Sequence, residues 1–300
     1  MDTSTLTPTT LRTIDDLRPG VRIMVGLISR LETGRYKRRY STSQVTKGDA
    51  GGLSVGWLQL ARRTGTRLLE KACDLYLAQP NADEEFKSEL RSMMPAIRDH
   101  DDPRPEKDPE YRQFFVELSE DPVWRSAQDE LGLAELDRAR KEWNDLQWET
   151  DLSLMTVYEG IILGGFKTCL GYTRTAIDRT RTESERTRVL TADKSDLSKA
   201  DLRLRAVVEA FMDDDGDTLG DAPIDPTDEV QLLLAYIAVR HSWLENFKHE
   251  GHFIRKAVYR TITLRDLYDR EVWDFEFGMT IKVFGRERTM TDDFLRYSAR

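Results

Sequence analysis

Hydrophobic positions recur at helical spacing through most of the chain. Met24, Leu27, Ile28 and Leu31 fall at i, i+3, i+4 and i+7 after Pro19, whose missing N–H has no helical partner in a first turn. Gly34 is a natural stop, so a helix is predicted from Pro19 with Glu32 one position past the last apolar residue. Leu68, Leu69, Ala72, Cys73 and Tyr76 mark a second helix within 64–78, with Thr66 as its N-cap residue. The stretch 111–148 is helical in pattern and carries Trp124, Trp143 and Trp148, which read as core residues. Leu154, Val157, Tyr158, Ile161 and Ile162 define a strongly apolar helix that closes at Gly164 and Gly165, with Glu159 on its flank. Val230, Leu233, Leu234, Ile237 and Leu244 predict another over 228–245, with Arg240 at its edge.

Elsewhere the spacing changes. From Tyr36 to Gly56 β-prone residues and a run of glycines predict a short hairpin or small sheet. Apolar residues at every odd position from Trp273 to Val283 predict a half-buried strand. Prolines and charges over 99–110 mark an exposed connection and a candidate lobe boundary. Residues 174–206 read as an exposed helix laced by ion pairs, and 212–223 as an acidic loop without the ligand spacing of a calcium site. Residues 1–15 are Thr-rich and read as a flexible lead-in to a domain over 16–300. The class expected is mainly α (α+β) with a small β element.

Three hundred residues with 39% hydrophobic content suffice for one large domain or two lobes around a cleft. A net charge of −9 argues against nucleic acid as the main partner and suits a cationic polymer. No apolar run approaches the ~18 residues of a membrane span, and the N-terminus lacks the basic and apolar regions of a Sec signal. Cys73 and Cys169 sit in apolar helical patterns and read as buried thiols. His100, His241, His249 and His252 read as surface or structural residues. Phosphate loops, zinc-ligand sets and Ser-His-Asp signatures are absent from the sequence, so no cofactor or metal is expected.

The candidate chemistry lies between Ile28 and Gly56. Glu32 stands at a helix end, Asp49 in the glycine-rich run 48–56, and Ser54 later in the same run. Two carboxyls in such different settings can divide into a general acid and a general base, as hydrolysis of a glycosidic bond requires. On the residues alone, Asp49 also fits a plain turn residue and Glu32 a solvated helix-terminal acid.

Taken together, the chain resembles the chitosanases of glycoside hydrolase family 46, within the lysozyme-like superfamily. That family has a helix-borne Glu, a loop G-D-G-R-G-Y-T-A-G, then T-G-D-M-L-E, D-P-V-F-R-x-A-Q-D, Y-D-A-x-V-x-H-G and a C-terminal arginine pair. The counterparts here are Glu32, GDAGGLSVG over 48–56, TGTRLLE over 64–70, DPVWRSAQD over 121–129, YEGIILGG over 158–165, and Arg240 with Arg255. The resemblance spans about residues 20–285 and implies a lysozyme-like two-lobed fold with a substrate cleft between the lobes. It implies endo-acting, inverting cleavage of β-1,4 bonds in an amino-sugar polysaccharide, without a cofactor. Glu32 is then the general acid, Asp49 the base that activates water, and Ser54 the hydroxyl that helps hold that water. Glu159, Arg240 and Arg255 match a charged network that supports the acid. Thr66 stands where the family carries a substrate-binding Asp, Glu159 replaces an Asp, and Gly164 replaces a His. These departures leave chitosan and peptidoglycan as alternative substrates, with a muramidase-like lytic effector as the alternative enzyme. A non-catalytic glycan-binding or structural component of a phage-like or secretion machine is the alternative of a different class.

Overall fold

The computed structural model describes residues 11–46, 51–63, 67–212, 223–246, 248–249, 252–253, 257–283 and 285–296. Chain order is α1 (Pro19–Thr33), β1 (Ser43–Val45), β2 (Leu53–Val55), β3 (Leu60–Ala61), α2 (Leu68–Leu77), α3 (Glu84–Arg98), α4 (Arg104–Lys107), α5 (Pro109–Leu118) and α6 (Pro122–Asp145). There follow α7 (Asp151–Ile162), α8 (Phe166–Thr180), α9 (Glu183–Thr191), α10 (Lys199–Ala210), α11 (Glu229–Asn246), β4 (Lys248–His249), β5 (His252–Phe253), α12 (Val258–Asp269), β6 (Thr280–Val283), β7 (Arg286–Thr289) and α13 (Asp292–Leu295). The mainly α expectation with a small β element holds.

The chain divides into two compact units, one of residues 1–137, 276–279 and 290–300, the other of 138–275 and 280–289. The change from one to the other at 137/138 falls inside α6, not in the proline-rich 99–110 connection where a boundary was expected. That connection is tied down instead: it contains α4, and Pro105 within it is buried.

In the first unit α1 buries Ile23, Met24, Leu27, Ile28 and Leu31, the predicted stripe and more. Three short antiparallel strands form a sheet in the order β1-β2-β3, with Ser54 opposite Gln44 on one side and Ala61 on the other. Tyr76 of α2 and Phe115 of α5 pack on Trp124 of α6 with ring centroids 5.9 and 5.7 Å apart. Residues 80–98, unassigned from the sequence, hold α3, whose N-terminus is capped by Asp83 accepting from the N–H groups of Glu85 and Phe86. Part of the supposed lead-in is packed: Ile14 is buried, and Arg12 bonds Glu130 and Asp137 of α6.

The second unit is a helical assembly in which α8, α10 and α11 pack on one another, α9 covers α8 and α10, and α12 lies on α7 and α11. Residues 174–206 are therefore three helices, with Val189, Leu204 and Val208 forming their own buried cluster. The expected ion pairs are present, as Arg179 and Arg188 both reach Glu185 and Asp201. Val230, expected in the core, is 40% exposed. The expected strand from Trp273 to Val283 is a strand only from Thr280, where β6 pairs with β7. Upstream, the Trp273 carbonyl accepts from the N–H of Leu152 at 2.9 Å and the Phe275 N–H binds Asp151 Oδ2 at 3.1 Å, so the N-terminus of α7 takes the bonds a ladder would need. The calcium-like acidic loop over 213–222 lies outside the described residues.

Candidate active site

Glu32 is the penultimate residue of α1 and is half-buried. The helix ends there because Gly34 adopts a left-handed φ of 75° and its N–H bonds the Arg30 carbonyl. Arg30 turns its guanidinium back onto the Gly34 carbonyl, Thr33 Oγ1 bonds the Ser29 carbonyl at 2.9 Å, and Ser29 Oγ reaches the Lys37 carbonyl at 3.4 Å. The turn that carries Glu32 is thus closed on itself and tied to the segment that follows.

Ser54 is the middle residue of β2, buried at 7% exposure between the fully buried Leu53 and Val55. Two glycines bracket the strand. Gly52 and Gly56 have φ of 71° and 76°, a region that costs other residues free energy. A Cβ on Gly56 would fall inside the side-chain amide of Gln128, and one on Gly52 would sit 2.5 Å from Glu106 Oε1. Close approach by two side chains from α4 and α6 therefore demands glycine at both ends of β2.

Glu106 is the more heavily bonded of the two. Its Oε1 accepts from the Leu53 N–H at 3.1 Å and from Arg62 Nε at 2.7 Å; its Oε2 accepts from Arg62 Nη2 at 2.7 Å and Arg63 Nη2 at 2.9 Å. Arg62, with a fully buried side chain, spends its remaining donors on the carbonyls of Ala96, Asp99 and Asp102. Burial raises the Glu106 carboxyl, but the bonds from Arg62 and from the Leu53 N–H outweigh that and leave it below its ordinary range.

The DPVWRSAQD run works as scaffold around this sheet. Asp121 caps α6 through the Val123 N–H at 2.7 Å and accepts from the Tyr76 hydroxyl at 2.6 Å. Asp129 accepts from the Tyr40 hydroxyl at 2.8 Å and lies 3.6 Å from Arg38 Nε, itself bonded to Tyr40. Burial pushes Asp129 up to about 6 against the pull of Arg38 and the Tyr40 hydroxyl. A concavity of ≈ 650 Å³ in this unit, lined among others by Asp83, Glu120 and Asp121, contains neither Glu32 nor Ser54. Its Asp83 and Asp121 carboxylates serve as helix caps.

In the second unit the structure brings Glu159 and Arg240 together with both side chains fully buried, Arg240 Nε donating to Glu159 Oε2 at 2.8 Å. Arg240 is interior and not at the helix edge: its charge is matched by Glu159, 81 positions earlier, and it also bonds the Gly164 carbonyl at 3.1 Å. Burial would lower the Arg240 guanidinium, yet the Glu159 carboxylate and other polar neighbours hold it above its ordinary value. Arg260 of α12 lies 3.7 Å from Glu159 Oε1 and gives the carboxylate a second guanidinium. Cys73 and Cys169 are buried free thiols, as expected.

Asp49, Thr66 and Arg255 lie outside the described residues. Sequence reading missed Arg62, Glu106 and Arg260, since each partner is distant in the chain and no short spacing joins them. Gly52 and Gly56 were the only local signals, because a glycine can mark a close approach.

No family model and no curated protein matches the chain. Among solved structures it is similar to a GH46 chitosanase of Gynuella sunshinyii in complex with chitotetraose, at TM-score 0.63 and 15% identity, covering 91% of this chain and 98% of that one. It is similar also to the native chitosanase of Bacillus subtilis MY002, at TM-score 0.58 and 18% identity over 91% of this chain and 99% of that one. A mutant of the Bacillus enzyme complexed with 6 GlcN matches at TM-score 0.59 and 16% identity, covering 91% of this chain and 99% of that chain. With its mainly α architecture and small antiparallel sheet, the chain has the lysozyme-like fold of the GH46 chitosanases.

Proposed function

We propose that the chain, over residues 16–300, is a glycoside hydrolase that cuts β-1,4 bonds of an amino-sugar polysaccharide with inversion, chitosan being the first substrate to test. The observation that carries this reading is the likeness to GH46 chitosanases over nine tenths of the chain. The placement of Glu32 on a closed helix end and of Ser54 inside a packed sheet supports it.

In this reading Glu32 gives its proton to the leaving glycosidic oxygen as the C1–O bond breaks. A water attacks C1 from the opposite face and loses its proton to Asp49, so the two carboxyls exchange protonation states over one turnover. The Ser54 hydroxyl holds that water without taking its proton. Glu159, with Arg240 and the resemblance-assigned Arg255, forms the supporting charge network, to which Arg260 adds a second guanidinium on Glu159.

One observation favours a second substrate. Thr66 stands where a carboxylate would pair with a glucosamine ammonium, so peptidoglycan, whose sugars are N-acylated, is the alternative polymer. Incubating the protein separately with chitosan, chitin and peptidoglycan and measuring new reducing ends tests both. Ends from chitosan are expected; ends from peptidoglycan alone select the second substrate, and none from any polymer contradicts the hydrolase reading.

A further inference from the structure

We propose that Glu106, held by Arg62, is a positioning residue for the acid–base site: its carboxylate fixes the backbone of β2 at Leu53 and thereby the place of the Ser54 hydroxyl. This rests on the glycosidase reading above.

The sheet that carries Ser54 has strands of only three, three and two residues, short of the about five or six usual in a strand, so its position depends on what it is bonded to and packed against. The N–H of Leu53, immediately before Ser54, is bonded by the Glu106 carboxylate.

That carboxylate is saturated. An ionised carboxylate offers about four lone-pair sites. Here each Glu106 oxygen takes two donors, all at 2.7 to 3.1 Å. Arg62 is saturated in the same way: its guanidinium bonds both Glu106 oxygens and three backbone carbonyls at the end of α3 and in the connection after it. The arginine is buried and the glutamate partly so, and with every donor and acceptor of the pair used the carboxylate is held in one geometry, to which Leu53 is attached directly. Gly52 completes the contact. Its φ of 71° and the 2.5 Å that would separate a Cβ from Glu106 Oε1 both call for glycine.

Misplacing a reacting group by about 1 Å can cost about 100-fold in rate, so a pair that fixes the backbone at Leu53 bears on the reaction through the neighbouring Ser54. Glu106→Ala removes the contact, and Glu106→Gln keeps the side chain's shape and an acceptor for Leu53 while losing the charge. Both are compared with the wild type on soluble chitosan for kcat and KM, alongside amide exchange at Leu53 and thermal unfolding.

The expected result is a fall in kcat of about 10- to 100-fold in Glu106→Ala with KM within about threefold, a partial recovery in Glu106→Gln, and lost exchange protection at Leu53. Should Glu106→Ala fail to fold, Glu106→Gln carries the test, with a lower kcat at unchanged KM as the supporting result. A wild-type kcat in a folded variant that has lost Leu53 protection overturns the assignment, as does unchanged protection. A wild type that cuts no polymer overturns the glycosidase reading and this assignment with it. A wild type that turns over beside an equally fast Glu106→Ala enzyme overturns this assignment alone.

Discussion

Burial holds a carboxyl's proton further up the pH scale than in water, and at Asp129 it does so in spite of the Tyr40 hydroxyl and the Arg38 guanidinium beside it. Its folded value is pushed up to about 6 from an ordinary 3.8. Between those values the native carboxyl keeps a proton that the unfolded chain has released. The native state then binds more protons than the unfolded one, so this group's contribution to stability falls as pH rises from about 4 to about 6 and is flat above. The scale is about 1.4 kcal/mol per unit of difference, an upper bound for one group. Urea unfolding across this pH range is expected to show a downward trend in the wild type that Asp129→Asn flattens; parallel curves for the two proteins would contradict it. At this scale the sequence was informative about Glu32, because a helix stripe and a following glycine locate a helix end locally. It was silent on Glu106, whose partner Arg62 lies 44 positions away and whose surroundings look like solvated charge in any short window.

Among the elements, α1 and α7 were legible as helices from their apolar spacing, although each buries residues outside its stripe, Ser29 in α1 and Glu159 in α7 among them. The segment from Trp273 to Val283 shows what such spacing leaves out. Phe275, Ile281 and Val283 are buried and Asp274, Glu276 and Lys282 exposed, so the alternation reports burial correctly. It does not report a partner strand, and Gly278 at φ 96° breaks the extended run before β6 begins. Arg240 carries the same lesson for charge: a lone arginine in an apolar helix reads as an edge residue until the distant Glu159 is brought against it. This pair joins α7 to α11, and Arg260 adds α12. Arg240→Ala leaves Glu159 buried with its closest cation gone and is expected to destabilise the protein by about 3–5 kcal/mol. Denaturant unfolding measures it, and a loss under about 1 kcal/mol would mean that Arg260 alone neutralises the carboxylate.

The molecule as a whole carries a net charge of −9, and on a polycationic substrate this field assists encounter and is weakened by salt. A diffuse field does not replace a specific carboxylate. With Thr66 at the position where the resemblance puts a substrate-binding Asp, binding of highly deacetylated chitosan is expected to be weak and salt-sensitive. Thr66→Asp is expected to lower KM for chitosan by about one to two decades with little change in kcat, since the contact serves ground and transition states alike. No gain, with efficient wild-type cleavage at high salt, would contradict this account of specificity. Turnover in the proposed mechanism depends first on the carboxyl at the end of α1. The most direct measurement is the rate of new reducing ends from chitosan for the wild type and for Glu32→Gln, with polymer binding and unfolding followed in both. The account predicts a loss of about 100-fold or more with binding and stability retained, because the change removes a proton donor and little else. Wild-type turnover in Glu32→Gln would contradict it.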